Sequence, residues 1–153
     1  MNELDLLLTF IALGFDHVSW HGPNLSGSIR GVSAQEAAFR PARGRHNIWE
    51  QVVHAAYWKY VVRRRLLGEK RGSFPLKGSN WLTRPIEGMA EREWRNDVAL
   101  LMETHRTLRE AIAGLAPSSL RKPLAGAKDG RITPAKLITG IAMHDVYHAG
   151  QIG

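Results

Sequence analysis

The sequence predicts an all-α fold: a four-helix bundle with a short accessory helix and long loops. Three observations carry the prediction. Four segments place apolar residues at helical spacing, cap or stop residues bound them, and no run of strands stands out. Amphipathic helices joined by loops bury their stripes best against one another. The 153 residues read as a single domain, 1–153, long enough to bury a core without staples.

The first segment is expected over Glu3 to Trp20, where Leu4, Leu7, Leu8, Ile11, Phe15 and Val18 form an apolar stripe. Gly22-Pro23 breaks it. With Glu3 and Asp5 and no basic leader, it reads as a core helix rather than a signal peptide. Ser33 to Glu36 has capping-box spacing, which predicts a short helix over Ser33 to Phe39. The second long segment starts after Asn47, a good N-cap, and runs to Leu67, with Gly68 as its stop. A loop rich in Gly and Pro follows from Gly68 to Gly88. The third segment, Glu91 to Leu115, carries the seam Trp94, Val98, Leu101, His105, Leu108, Ile112, Leu115, the spacing of a bundle helix. Pro117 lies just past its end. Thr133-Pro134 supplies an N-cap and a first-turn proline for the fourth segment, which runs to about Gln151.

Composition narrows the function. Lys plus Arg is 21 against 14 Asp plus Glu, a net charge of +7, which favours anionic partners. Arg63, Arg64, Arg65, Lys70, Arg71 and Lys77 concentrate that charge. No nucleic-acid motif accompanies them, and Arg63 to Arg65 fall where a helix dipole favours cations. A basic anion- or nucleic-acid-binding module is therefore the weaker alternative, and nucleic acid is not the expected partner. There is no cysteine, so disulfides, thiolate zinc sites and cysteine nucleophiles are excluded and a cytoplasmic location fits. No apolar run approaches the ~20 residues of a membrane span, so no membrane partner is expected.

Histidines carry the chemistry. In the last segment Leu137, Ile141, His144, His148 and Ile152 share a sector of about 80° on a helical wheel. His144 and His148 therefore project from one face, one turn apart, on an apolar stripe. Buried imidazole nitrogens need partners; a shared divalent ion supplies one, and carbonyls or carboxylates are the alternative. Catalytic zinc commonly has three protein ligands and an open position. His54, on the same side of its segment as Trp58 and Val61, is the best third. His17 and His21 are also four apart but lie off the stripe, with His21 a candidate for a pocket rim. His105 lies on the third segment's seam and reads as a hydrogen-bonded core histidine, with an extra ligand or a group behind the ligands as the alternative. Glu50, one turn before His54, is the nearest carboxylate; it reads first as a solvent-facing charge and second as a base or an orienting partner. Asp145 is offset from the ligand face. Gln151 either bonds near the site or caps the helix. Trp20, Tyr57, Trp58 and Tyr147 are candidates to line a pocket.

The segment GRHNIWEQVVHAAYWK, with His54, and the later HDVYHAGQI, with His144 and His148, resemble the DinB-like (YfiT-like) superfamily. The resemblance implies a four-helix bundle, often a homodimer, whose divalent metal is held by three histidines, here His54, His144 and His148. Characterised relatives are S-transferases and isomerases that use bacillithiol, mycothiol or glutathione; others are described as metal-dependent hydrolases. The expectation is a divalent-metal-dependent enzyme acting on a small molecule, a thiol S-transferase or a hydrolase. Imidazole ligands suit zinc or nickel. Without cysteine, the thiol must be a low-molecular-weight cosubstrate. A non-catalytic metal-binding or structural bundle is the alternative. Relatives continue the last helix past GQI, so a frayed final turn is expected around His148.

Overall fold

The structure, a computed structural model, describes residues 1–128 and 130–153. Among them there are six α-helices and no strand: α1 (Glu3–Phe15), α2 (Leu25–Ser28), α3 (Ala34–Ala38), α4 (Ile48–Leu67), α5 (Glu91–Ala113) and α6 (Pro134–Ile152). A 3-10 turn at Pro117–Ser119 follows α5. None of these helices is long and apolar enough to cross a membrane.

Local side chains set most of the helix ends. Asn47 accepts from the Glu50 N–H to start α4, and left-handed Gly68 (φ 68°) ends it. Thr133 accepts from the Lys136 N–H, with Pro134 in the first turn of α6. Ser33 and Glu36 form the capping box of α3.

Two boundaries differ from the sequence prediction. The first helix stops at Phe15, not Trp20. Asp16 bonds the His17 ring at 2.6 Å, and Asn24 donates to the His17 carbonyl at 2.9 Å, so side chains take over there from the helix ladder. Val18 and Trp20 are fully exposed as a result. Asn24 also caps the unpredicted α2. The third long helix ends two residues early, at Ala113, with Gly114 as its cap. The final turn is helical: α6 reaches Ile152, and His148 is 2% exposed.

The four long helices form the bundle. α4 lies along α5, α6 packs on α1 and α4, and α1 touches α5. α1 and α6 approach closely at Gly14, where a Cβ would lie 2.9 Å from the Ala142 carbonyl oxygen.

The core has two apolar clusters. One gathers Phe15, Leu25, Trp49, Val53, Trp94, Leu101 and Ala149. The other gathers Leu7, Ile11, Val62, Leu66, Leu108, Ile138 and Ile141. A polar layer lies between them along the sequence of α4, α5 and α6: Lys59, His105 and Asp145, all buried. Lys59 Nζ pairs with the Asp145 carboxylate, contacts His105 Nδ1 at 3.4 Å and lies 4.7 Å from the Phe15 ring centre. Phe15 stacks on His105 at 3.6 Å. Desolvating each ion costs several kcal/mol, which only the pairing offsets.

Candidate metal centre

The spacing of His144 and His148 puts both rings on the face of α6 that meets α4, and α4 presents His54 to them. The three Nε2 atoms converge: His54 and His148 each lie 3.1 Å from His144 Nε2. All three nitrogens fall within 4.8 Å of one another, a cluster that could hold a metal ion. Two nitrogens bound tetrahedrally at about 2.0–2.1 Å from one zinc ion sit roughly 3.3 Å apart, close to these separations.

The hydrogen bonds define which nitrogens carry protons. His54 Nδ1 faces the Asn80 carbonyl at 3.0 Å, and a carbonyl only accepts, so Nδ1 donates. His148 Nδ1 faces Gln51 Oε1 at 3.1 Å and donates likewise. Both rings then turn Nε2 lone pairs inward. His144 Nε2 has at most one proton, so it cannot satisfy both neighbours. Converging lone pairs in a buried site are repulsive without a cation between them, and this donor set suits a divalent ion. His144 Nδ1 is buried without a partner among the described residues.

Burial keeps the rings neutral, as ligands must be. Desolvation, with His148 and His54 close by, pushes His144 down to about 3. Desolvation and His54 push His148 down to about 4. Burial lowers His54 as well, against the bond to Asn80.

Trp81 closes one side. It stacks on His54 at 3.7 Å and 7°, and on its other face on His46 at 3.5 Å and 1°. Trp58 meets His54 edge-on and donates from its indole N–H to Asn80 Oδ1 at 2.9 Å. A cavity of about 500 Å³ opens on His148, lined also by His46, Gln51, Trp81, Tyr147 and Gln151. Tyr147 packs edge-on against His148, and Gln151 donates to the Tyr147 hydroxyl at 3.1 Å.

Other expected residues lie elsewhere. Glu50 is not solvent-facing: it is buried, bonded to Arg40 at 2.7 Å and to His46 at 2.9 Å. Burial pushes its carboxyl up, but the bonds from Arg40 and His46 outweigh this and hold it below the ordinary value. A chain of contacts links it to the cluster through the His46–Trp81–His54 stack. His105 belongs to the Lys59 layer and is not in the cluster. His21 lines a separate apolar groove of about 550 Å³ with Phe10, Met143, Val146 and Tyr147. Gln51, Asn80, Trp81 and His46 were missed. Gln51 had a signal, lying three residues before His54 on the same helix face; Asn80 and Trp81, inside the Gly/Pro-rich loop, had none.

A protein-family model described as the DinB superfamily matches residues 18–152. No curated protein matches the chain.

Proposed function

This chain belongs to the DinB superfamily, and from that premise we propose that it is a divalent-metal-dependent enzyme transferring a low-molecular-weight thiol to a small electrophile, or hydrolysing a small substrate. The convergence of three Nε2 atoms beside a cavity carries the reading. His54, His144 and His148 would hold one zinc or nickel ion. When bound, the ion would lower the pKa of a thiol or water and polarise the electrophile.

The chain's own residues do the rest. Asn80 and Gln51 fix the tautomers and orientations of His54 and His148. Trp81 keeps water from one side of His54. Gln51, Tyr147 and His46 present polar atoms to a substrate in the cavity. Without cysteine, the chain cannot supply the thiol, which accords with a cosubstrate and with the cytoplasm. The apolar groove along α1 and α6, where Phe10, Met143 and Tyr147 are exposed, is the face assigned to a homodimer.

The test is metal content by inductively coupled plasma mass spectrometry on untagged protein loaded with zinc or nickel, beside His54→Ala, His144→Ala and His148→Ala. Near-stoichiometric metal, lost in each variant with helical circular dichroism intact, supports the site. A panel of thiols with electrophiles, and of esters and amides, then tests turnover. Metal without turnover would leave a structural metal bundle. No metal in folded wild type would end the reading. Light scattering on the same samples tests the dimer.

A further inference from the structure

The loop that follows α4 folds back over the C-terminal half of that helix and walls a second cleft. Its hold on the helix is specific. The Tyr60 hydroxyl accepts from the N–H groups of Gly72 and Ser73 at 3.2 and 3.3 Å. Phe74 packs against Tyr57 and Tyr60, each at 5.3 Å between ring centres. The cleft measures about 750 Å³, within the ~300–1,000 Å³ of small-molecule sites.

Two chemistries meet in it. Tyr57, Trp58 and Phe74 supply aromatic surface, and Arg64, Arg65, Arg71 and Lys77 supply positive charge. Among the described residues, no carboxylate pairs with any of these four cations; Glu69 is taken by Arg63 at 3.0 Å. Arg64 donates from Nη1 to the Glu69 carbonyl, and its buried Nε has no acceptor among the described residues. The helix dipole accounts for Arg64 and Arg65 in the last turn of α4. It does not account for Arg71 and Lys77, which lie in the loop. Four cations around one concavity repel one another until an anion neutralises them. A single carboxylate would satisfy one guanidinium fork; a phosphate, with about −1.5 to −2 charges and three acceptor oxygens, can engage several.

We propose that this cleft binds a small organic phosphate with a flat aromatic body. The phosphate lies among Arg64, Arg65, Arg71 and Lys77, and the ring lies against Tyr57, Trp58 or Phe74. The site adjoins the histidine cluster through Trp58, which meets His54 edge-on, but shares none of its three histidines and requires no metal.

The test is a ¹H–¹⁵N NMR titration of the full chain, read at the Trp58 indole N–H and assigned with Trp58→Phe. Phenyl phosphate and adenosine monophosphate are the ligands, with inorganic phosphate and adenosine as separate arms. Saturable shifts are expected, with the aryl phosphates about tenfold tighter than either arm. Arg65→Gln/Arg71→Gln, or Lys77→Gln if that double variant unfolds, should weaken binding about tenfold or more. Arg43→Gln/Lys122→Gln, which removes equal charge outside the cleft, should leave it unchanged. Absence of a saturable shift, inorganic phosphate binding as tightly as phenyl phosphate, or equal losses in both double variants would overturn the proposal. So would a single-stranded oligonucleotide outcompeting the mononucleotide with a steep salt slope.

Discussion

His54 donates from Nδ1 to the backbone carbonyl of Asn80 at 3.0 Å, and Asn80 holds that carbonyl in a left-handed conformation, φ 59°. One loop residue thus fixes the tautomer of one cluster histidine, while its side chain takes the Trp58 indole N–H at 2.9 Å. Asn tolerates this conformation; a β-branched residue does not. Asn80→Val should therefore move the carbonyl and weaken zinc or nickel binding by about 10–100-fold. Asn80→Gly keeps the backbone, loses only the indole bond and should weaken it far less. Competition titration with a chromophoric chelator measures both. Equal affinities for the two variants would show that the carbonyl does not orient His54.

Breaking the Lys59–Asp145 pair should destabilise the bundle's middle strongly, more than removing it whole. Both side chains are 0% exposed. Burial pushes the Asp145 carboxyl up to about 6 and the Lys59 amine down, and each partner's charge opposes the shift. Lys59→Met leaves a buried carboxylate without its cation and should cost about 3–5 kcal/mol in urea unfolding. The double variant Lys59→Met/Asp145→Leu removes both charges and should regain most of that loss. A double variant as unstable as the summed singles would show that the pair is not coupled.

Gly14 marks a close approach of α1 to α6. A Cβ there would meet the backbone oxygen of Ala142 at 2.9 Å, and backbone cannot swing aside as a side chain can. Gly14→Ala has better helix propensity by about 1 kcal/mol, yet overpacking of about 1–3 kcal/mol opposes it. We expect net destabilisation and a displaced α6, and with it a looser His144–His148 pair. Thermal melting and metal titration of the variant would show both. An unchanged melt with unchanged affinity would mean that the helices separate at no cost.

The long helices were legible because their signals are local. Asn47, Gly68 and Thr133-Pro134 act on the backbone within a turn of themselves, and the stripe carrying His144 and His148 is continuous along α6. His54 was legible more weakly, from the side of α4 it shares with Trp58 and Val61, because Val and Ala crowd most directions of that helix; the family resemblance pointed to the same residue. The rest depends on partners distant in the chain. Lys59 reads as an ordinary helix lysine until Asp145, 86 residues later, faces it. Glu50 reads as a surface charge until Arg40 and His46 close over it. The spacing of Val18 continued the α1 stripe, but the Asn24 bond to the His17 carbonyl ended the helix first. Asn80 and Trp81 sit in a loop whose path is set by what it packs on.

Acid should weaken the metal-free fold well above the ordinary carboxylate range. His105 is pushed down to about 3 by burial and by the Lys59 charge, His144 to about 3 and His148 to about 4. An unfolded histidine titrates near 6.5. Between these values the unfolded chain binds protons that the folded chain refuses, so unfolding free energy rises with pH, and the contribution is complete above about 6.5. Each such histidine adds a slope of about 1.4 kcal/mol per pH unit inside that window. Asp145, raised to about 6, runs the other way between about pH 4 and 6 and offsets one of the three. Urea unfolding in chelator should therefore lose stability steadily from pH 7 to 5. His105→Leu removes one refused proton outside the histidine cluster, so its stability should fall less steeply than wild type over that range. Parallel slopes for the two proteins would mean that His105 is protonated in the folded bundle, which its stack on Phe15 and its contact with Lys59 make unfavourable.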